Sequence, residues 1–228
     1  MPDIDSLHPT LHRAYDAFLF DMDGTLLNSI PSANRIWTTW CHRMGLDPDT
    51  VIPHLHGVRA IDTVKRFAPA GTDVEKEAAW VTAAEVEDLE GVTALPGILP
   101  FLASLPPARW AIVTSASDAL ARARLGAAGI AVPPVLVTAE QIRHGKPAPD
   151  PFLHGAQRLG FAAADCLVWE DAPAGIRAGE AAGSDLVVLT ATHDHHHPMN
   201  IGSHLSVVDY RGLSAQVDTD GRLRLRKA

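Results

Sequence analysis

Residues 17–27, AFLFDMDGTLL, decide the fold of this chain. The first four are apolar without interruption, which is typical of a parallel strand buried on both faces. Asp21 and Asp23 follow at i and i+2, so on extended backbone their carboxylates project to the same side before Gly24 and Thr25 turn the chain away. The stretch predicts two acids at the carboxyl edge of a sheet, where open α/β folds bind ligands. Such a pair could hold a hard cation, supply a nucleophile, or do both.

The composition is ordinary for a soluble globular protein. Of the 228 residues, 46% are hydrophobic and 20% are charged, which is enough to bury a full core. The formal net charge of −8 argues against a nucleic-acid or anionic-membrane surface, since either would need a basic patch. Two cysteines allow neither a disulfide framework nor a cysteine-based metal site. We find no signal-peptide pattern and no apolar run of membrane-spanning length, so a cytoplasmic location is expected.

Beyond the opening strand, the pattern divides into a helical stretch and an alternating stretch. Residues 31–94 lack β-rich runs until their end, and their apolar residues recur at helical spacing. From residue 95 onward, short apolar runs alternate with helical segments, which predicts a Rossmann-like, doubly wound parallel sheet. The expected organisation is a discontinuous α/β core, residues 1–30 and 95–228, with a helical cap of residues 31–94 inserted after the first strand. Later strands are expected at 110–114, 135–137, 167–169, 185–190 and 207–209, with a terminal hairpin around Asp220-Gly221.

Three further polar groups follow predicted strands or lie in a loop at the same edge. They are Thr114-Ser115, Lys146 and Glu170-Asp171. Because the carboxyl ends of parallel strands share one edge, these groups are expected to converge on the first acid pair. The set fits phosphoryl transfer, in which catalysis is mostly positioning and stabilisation of charge on the phosphoryl oxygens. A carboxylate nucleophile is repelled by a phosphate dianion unless a cation intervenes, and Mg²⁺ held by carboxylates meets that need.

Each of these signals is weak by itself. The Asp-x-Asp-Gly pattern also occurs in turns and calcium loops, and Lys146 could be an exposed loop lysine. Glu170 and Asp171 could simply be acids at a helix N-terminus, where they are favoured. Asp150 and Ser117 are better explained as helix N-caps than as site residues. It is the combination of four groups in the right strand context that indicates one site.

The four groups resemble the motifs of the haloacid dehalogenase-like hydrolase superfamily, in the subgroup whose helical cap follows the first motif. The resemblance covers nearly the whole chain, and it extends to residues 54–61, 91–97, 137–140 and 170–176. These stretches are similar to sugar-phosphate and polyol-phosphate phosphatases, including hexitol-phosphate, 2-deoxyglucose-6-phosphate and glycerol-phosphate phosphatases. A second acid at position 23 sets the chain apart from the dehalogenases of the superfamily, which lack it.

The resemblance implies a role for each residue. Asp21 would attack phosphorus to form an aspartyl-phosphate, and Asp23 would protonate the leaving alcohol and then activate water. In the cap, His56 and Arg59 are expected to face the sugar or polyol, although both could be ordinary helix-surface residues. The implied ligands of phosphate are Thr114, Ser115 and Lys146, and those of Mg²⁺ are Asp21, Asp23 through its carbonyl, Glu170 and Asp171.

The activity expected from these roles is Mg²⁺-dependent hydrolysis of small sugar or polyol phosphates by a monomer without nucleic-acid or membrane partners. One alternative is a phosphomutase of the β-phosphoglucomutase type, which shares all four motifs but returns the phosphoryl group to a second hydroxyl. Another is a non-catalytic binding protein on the same fold. The His-rich stretch 193–197 has no counterpart in the family and is expected to be a solvated loop, because consecutive histidines cannot all face one ion.

Overall fold

The described part of the chain, residues 8–193 and 202–227 of a computed structural model, is built around a six-stranded sheet. Two shorter strand pairs accompany it within the same ranges. The strands are β1 (Ala17–Phe20), β2 (Leu27–Asn28), β3 (Thr93–Ala94), β4 (Trp110–Val113), β5 (Leu136–Val137), β6 (Cys166–Glu170), β7 (Asp185–Leu189), β8 (Leu205–Val207), β9 (Leu213–Val217) and β10 (Leu223–Lys227).

The order of strands across the sheet is β5-β4-β1-β6-β7-β8, and every neighbouring pair is parallel. Strand β1 lies where the chain stops adding strands on one side and begins adding them on the other. Such a switch point opens a crevice at the carboxyl ends of the central strands. The doubly wound parallel sheet expected from the sequence is confirmed.

Helices cover both faces of this sheet. Apolar residues of α5 and α6 belong to the core layer on one face, and those of α7 and α8 belong to the layer on the other. Four further helices, α1 to α4, lie in the chain between β2 and β3. The helices are α1 (Ile30–Met44), α2 (Pro48–Val51), α3 (Ala60–Phe67), α4 (Val74–Glu87), α5 (Ile98–Ala103), α6 (Asp118–Ala127), α7 (Asp150–Leu159) and α8 (Pro173–Ala181).

Strand β1 is buried on both faces, and this fixes the start of the site. Phe18 and Phe20 point into one layer, where the ring of Phe20 stacks on Trp169 of β6 at 5.5 Å between centroids. Leu19 points into the other layer. Each such side chain contributes about 2 kcal/mol when it is fully buried. The backbone N–H of Asp21 donates to the carbonyl of Trp169 at 2.9 Å and so continues the hydrogen bonds between β1 and β6. The backbone of Asp21 is therefore held in place by the sheet.

The helices between β2 and β3 have an apolar core of their own. Trp37 and Trp40 meet edge to face at 5.3 Å within it, and Trp40 is completely buried. Helix α1 ends at Gly45, whose φ of 68° is the left-handed conformation that glycine adopts without strain. The segment leaves and rejoins the rest of the chain through an antiparallel pair, in which Asn28 lies opposite Thr93.

Several expected strand ends differ from the observed ones by one residue, and two further expectations about element ends are wrong. The strand expected at 207–209 ends at Val207, because the carboxylate of Asp209 accepts the backbone N–H of Arg211 and turns the chain. Asp150 is not the N-cap of α7, because it is itself the first residue of the helix and Pro149 precedes it with helical backbone angles. The carboxylate of Asp150 pairs with His144 at 2.9 Å. The expected N-cap at Ser117 is confirmed, since its hydroxyl accepts the N–H of Leu120.

The terminal hairpin is confirmed as β9 and β10. Of the stretch expected to form a solvated loop, His193 is described and residues 194–197 lie outside the described ranges. A membrane span would need a longer and more apolar helix than any found in residues 8–193 and 202–227.

Candidate active site

Lys146 lies at the centre of the site, between carboxylates from two neighbouring strands. Its ammonium donates to Oδ1 of Asp21 at 2.5 Å and to Oε1 of Glu170 at 2.7 Å. A third bond goes to the carbonyl of Val113, the last residue of β4, at 3.1 Å. These acceptors lie at the carboxyl ends of β1, β6 and β4, which are adjacent in the sheet. All three donors of the ammonium are therefore used, and the group is fixed in position.

Burial and neighbouring charges set the ionisation of this cluster. Lys146 and Asp21 are 2% and 3% exposed. Burial alone would lower the pKa of Lys146, but the carboxylates of Asp21 and Glu170 outweigh it and raise that pKa, so the lysine is a permanent cation. Burial also raises the pKa of Asp21, with Lys146 opposing the shift and Glu170 adding to it.

Glu170 is folded back over the first turn of helix α8. Its Oε2 accepts the backbone N–H groups of Asp171 at 2.8 Å and Ala172 at 2.9 Å. The carboxylate lies directly over Gly175, where a Cβ would overlap Oε1. Glycine at position 175 is therefore a requirement for this orientation of Glu170, which presents its other oxygen to Lys146.

Asp171 extends the acidic cluster toward the loop after β1. Its Oδ1 accepts the hydroxyl of Thr25 at 3.1 Å, and its backbone carbonyl lies 2.7 Å from Nε2 of His193. Gly24, with a φ of 87°, approaches the same carboxylate so closely that a Cβ would overlap it. Burial raises the pKa of Asp171, and the carboxylates of Glu170 and Asp21 add to that shift.

The carboxylates of Asp21, Glu170 and Asp171 form a donor set that fits a divalent cation. Their oxygen atoms lie within 4.8 Å of one another, and all three residues are buried. Oxygen atoms are the ligands that Mg²⁺ prefers. Three ionised carboxylates against one ammonium leave two negative charges in a buried place, and a divalent cation would balance them.

Asp23 has contacts different from those of Asp21. The hydroxyl of Ser29 donates to its Oδ1 at 2.6 Å, and Nη1 of Arg124 donates to the same oxygen at 3.0 Å. Within the described ranges, its Oδ2 has no hydrogen-bond partner. The side chain is 26% exposed, whereas Asp21 is almost completely buried. Asp21 is thus bound to Lys146, whereas Asp23 keeps one carboxylate oxygen without a hydrogen bond from the described residues, beside a cavity.

Arg124 and Glu85 form a buried ion pair between two parts of the fold. Nη2 of Arg124 lies 3.0 Å from Oε1 of Glu85, and the two residues are 4% and 5% exposed. Arg124 belongs to α6, which packs on the sheet, and Glu85 belongs to α4 in the segment between β2 and β3. Burial raises the pKa of Glu85, which Arg124 opposes.

The two hydroxyl residues after β4 face different partners. Thr114 is buried, its N–H continues the ladder to Val137, and its hydroxyl accepts the N–H of Ala116 at 3.0 Å. The hydroxyl of Ser115 donates at 2.9 Å to the carbonyl of Gly57, in the segment between β2 and β3. Both residues line the cavity described below.

His56 and Arg59 also line that cavity but differ in their contacts. The guanidinium of Arg59 binds both carboxylate oxygens of Asp62 and the carbonyl of Ile142 at 3.1 Å. His56 lies close enough to Asp23 and His193 to respond to their charges, yet burial dominates and lowers its pKa. The imidazole is therefore neutral at neutral pH.

The cavity measures about 790 Å³ and lies between the acid pair and the helices of the inserted segment. That volume falls within the range of small-molecule sites. Its wall is mostly apolar, and its charged residues are chiefly acidic. The carboxylates that line it are those of Asp21, Asp23, Glu85, Glu87 and Glu140.

Several residues around the site were missed by the sequence analysis. Arg124 had a local signal, because it shares a helix face with the buried residues Leu120, Ala121 and Leu125. An ionisable residue on such a face needs a buried partner. The others lack a comparable signal, since their contacts are made with residues distant in the sequence or within a loop; they are Thr25, Ser29 and His193.

Known proteins are similar to this chain over most of its length. A family model described as haloacid dehalogenase-like hydrolase matches residues 15–183. Hexitol phosphatase A of Escherichia coli is 44% identical over 78% of this chain and 84% of its own length. The 2-deoxyglucose-6-phosphate phosphatase 1 of Saccharomyces cerevisiae is 30% identical over 87% of this chain and 89% of its own. The structure of CbbY from Rhodobacter sphaeroides with phosphate has a TM-score of 0.74 at 21% identity, over 86% of this chain and 95% of that one, and it shows the fold alone.

Proposed function

The chain belongs to the haloacid dehalogenase-like hydrolase family, and from that premise we propose a Mg²⁺-dependent phosphatase of small sugar or polyol phosphates. The observation that carries the proposal is Lys146, held between Asp21 and Glu170 at the edge where a phosphoryl group would have to lie. Relatives that act on hexitol and 2-deoxyglucose phosphates, by their names, support this class of substrate.

In the first step, a carboxylate oxygen of Asp21 attacks phosphorus and the bond between phosphorus and the ester oxygen breaks. The leaving oxygen takes a proton from Asp23, so an alcohol departs and Asp21 carries the phosphoryl group. The hydroxyl of Thr114 binds the phosphoryl oxygens, and the fixed charge of Lys146 beside them stabilises the charge that develops there. The different surroundings of the two acids fit this division of work, because Asp21 is buried against Lys146 and Asp23 is partly exposed beside the cavity.

In the second step, Asp23 takes a proton from a water molecule, whose oxygen attacks the same phosphorus. The bond between phosphorus and Asp21 breaks, inorganic phosphate leaves, and both carboxyl groups return to their starting states. Asp23 thus gives one proton to the leaving alcohol and then takes another from water, which is the reversal expected of an acid–base residue in a two-step transfer.

The carboxylates of Asp21, Glu170 and Asp171, with the carbonyl of Asp23, would hold Mg²⁺. When bound, the ion supplies the positive charge that lets a carboxylate approach a phosphate dianion and that offsets charge on the phosphoryl oxygens. The protein prepares that place by fixing Glu170 over Gly175 and Asp171 against Gly24.

The charges in the cavity favour an uncharged leaving group. Its two cationic side chains, Arg59 and Arg124, are already bound to carboxylates, and His56 is neutral. Within the described ranges, no cation of the wall is left to receive a second anionic group. Sugars and polyols meet this condition, whereas a second phosphate would be repelled by the acidic wall.

The same charges disfavour the phosphomutase alternative. Returning the phosphoryl group to a second hydroxyl of a phosphorylated sugar requires a sugar with a phosphate at each end. One of the two phosphates would then lie against the carboxylates of Glu85, Glu87 and Glu140. Incubation with glucose 1-phosphate separates the two activities, since a hydrolase releases inorganic phosphate and a mutase yields glucose 6-phosphate.

The experiment that tests the proposed function is phosphate release from a panel of sugar and polyol monophosphates, with excess MgCl₂ and with EDTA. We expect turnover that requires the metal and that is strongest on uncharged leaving groups. Phosphoglycolate and a sugar bisphosphate serve as anionic controls. Turnover that survives EDTA, or a preference for the anionic controls, would contradict the proposal.

Three further properties are proposed with it. Residues 31–94 act as a cap that chooses the substrate, since helices of this segment form the far wall of the cavity. The protein works in the cytoplasm, where sugar phosphates are found and where two buried free cysteines stay reduced. We also propose that it works as a monomer.

Removal of the metal is expected to change how stability depends on pH. Burial raises the pKa of Asp21 and Asp171 in the folded state, so the metal-free fold binds more protons than the unfolded chain above about pH 4. Its stability should therefore fall as the pH rises through this interval. Mg²⁺ binds the ionised carboxylates, so the rise in melting temperature on adding MgCl₂ should be larger at about pH 8 than at about pH 5.

Melting curves with MgCl₂ and with EDTA at both pH values measure this effect. Asp171→Asn is the matched control, because it removes one ligand and one of the two raised pKa values and should lose most of the difference. An equal or larger shift at the acidic pH would show that the buried carboxylates do not govern metal binding.

His56 and Arg59 should respond differently to substitution. His56→Ala removes a neutral hydrogen-bonding group from the cavity wall, and we expect KM for a sugar phosphate to rise about tenfold with kcat little changed, as for one lost hydrogen bond. Arg59→Gln breaks contacts to Asp62 and Ile142, so its main effect should be a lower melting temperature. An unchanged KM in His56→Ala would show that His56 does not bind the substrate.

A further inference from the structure

Arg124 holds the carboxylate of Asp23 and the inserted helical segment at the same time. Nη1 of Arg124 donates to Oδ1 of Asp23, and Nη2 bonds Oε1 of Glu85 on helix α4, both at 3.0 Å. The planar guanidinium fixes the angle between these two bonds, which a flexible ammonium would not do. The position of Asp23 is thereby linked to the position of α4.

The contacts of Asp23 are unequal between its two oxygens. Oδ1 accepts both from Arg124 and from the hydroxyl of Ser29 at 2.6 Å. For Oδ2, the described part of the chain supplies no hydrogen-bond donor, and Asp23 borders the cavity. Two donors on one oxygen set the plane of the carboxylate, and the other oxygen is left for exchange of a proton with a molecule in the cavity.

The far end of this chain of contacts is anchored in the helical segment. Glu85 is 5% exposed, and Trp37 lies close enough to its carboxylate to oppose, together with Arg124, the rise in its pKa that burial causes. Trp37 is 4% exposed and packs against Trp40 in the core of that segment. The contacts therefore run from the core of the segment through Glu85 and Arg124 to Asp23.

Burying the charges of Arg124 and Glu85 costs desolvation free energy, so a contribution to stability does not by itself explain this pair. Arg124 and Glu85 occupy buried positions on their helices, where apolar side chains of similar size would pack without desolvating two charges. The proposed function gives Asp23 a task that depends on accurate aim, and neither apolar replacement would provide it.

We infer that Arg124 is a positioning residue: it fixes Oδ1 of Asp23, assigns proton transfer to Oδ2, and aims it correctly only while α4 is seated on the core through Glu85. This inference rests on the proposed function, in which Asp23 is the general acid and base. It adds two residues, Arg124 and Glu85, to those that govern the reaction without touching the phosphoryl group.

The test uses leaving groups that differ in their need for a proton. The alkoxide of a polyol phosphate must be protonated as it departs, whereas p-nitrophenolate departs without a proton. In Arg124→Met, kcat on glycerol 1-phosphate or sorbitol 6-phosphate should fall about 10²-fold or more, with KM changed less than about threefold, in the range found for general acid–base catalysis. The steady-state rate on p-nitrophenyl phosphate should fall too, because its second step still needs a base.

Stopped-flow measurements on p-nitrophenyl phosphate separate the two steps. Formation of the aspartyl-phosphate should keep a rate constant within about threefold of wild type, and the slow second step should produce a burst of one nitrophenolate per active site. A loss of general structure at the site would slow this first step as well. Equal slowing of both steps would therefore overturn the positioning role.

Three further variants guard against misfolding of Arg124→Met. Arg124→Lys retains the buried charge but cannot bond both carboxylates through a planar fork, and its kcat should fall about tenfold with the same burst. Glu85→Gln keeps the acceptor and should show a smaller loss in the same direction. Arg122→Met is the matched control, since Arg122 lies on the same helix, is exposed and pairs with Asp118; it should match wild type.

The outcomes distinguish this inference from the proposed function. If wild-type protein hydrolyses polyol phosphates and Arg124→Met or Arg124→Lys does so within about threefold of that rate, the role of Arg124 is wrong and the function stands. If the wild-type protein hydrolyses neither class of phosphate ester, the function and the inference fail together.

Discussion

Asp21→Asn is expected to abolish turnover while leaving the fold in place. The amide is a poor nucleophile and cannot form the aspartyl-phosphate, so kcat should fall on the order of 10⁵-fold, as for other catalytic nucleophiles. Its oxygen can still accept a hydrogen bond from Lys146, and a buried carboxylate whose pKa is raised is exchanged for a neutral group. The melting temperature of the metal-free protein should therefore change little.

Two measurements check this expectation. Phosphate release gives the loss in turnover, and acid quenching after mixing with a ³²P-labelled substrate should trap label on wild-type protein but not on the variant. Asp16→Asn provides a control with the same change of side chain, because Asp16 lies just before β1 and outside the cavity wall. Asp21→Asn with turnover within about tenfold of wild type would exclude the covalent mechanism.

Lys146→Met should damage both stability and activity. Among the described residues, Lys146 is the one cation paired with Asp21 and Glu170, so its removal leaves two buried carboxylates without a cationic partner. Breaking a buried ion pair from one side costs about 3–5 kcal/mol of unfolding free energy. Loss of one fixed charge on the phosphoryl oxygens should lower kcat/KM about 10²- to 10³-fold.

Added MgCl₂ should restore part of the stability of this variant but little of its activity. The ion can neutralise the carboxylates, but it cannot take the place of Lys146 between Asp21, Glu170 and the carbonyl of Val113. Urea unfolding with and without MgCl₂, together with kcat/KM, measures both effects. The control is Lys65→Met at an exposed lysine, which should be neutral. A Lys146→Met protein as stable as this control without metal would contradict the account of the site.

The sequence predicted the sheet and the residues at its edge because that information is local. An apolar strand followed by Asp21 and Asp23, and later strand ends followed by Thr114 and Glu170, can be recognised within a few residues each. Parallel strands then bring such ends to one edge whatever the intervening loops do. The fold and the chemical character of its site follow from this repetition.

Contacts between distant helices cannot be predicted from local sequence patterns. Arg124 and Glu85 are 39 positions apart, and each looks like an ordinary helix-surface charge until the two are found together. Only their positions relative to buried neighbours hinted at burial, as Glu85 follows the buried residues Ala78 and Val81 by two helical turns and one helical turn, respectively. The orientation of Glu170 was equally hidden, because it depends on the absence of a side chain at Gly175.

Strands β2 and β3 carry the chain into and out of the inserted helices at one place. Leu27 and Asn28 enter the segment directly opposite Ala94 and Thr93, where it ends. Because entry and exit are neighbours, the segment can lengthen, shorten or change its sequence during evolution without shifting the register of β1 or the residues that follow it. We therefore expect that substrate preference can change on this scaffold while the residues proposed to bind phosphate stay as they are, because the pairing of these four residues keeps the two parts of the chain independent of each other.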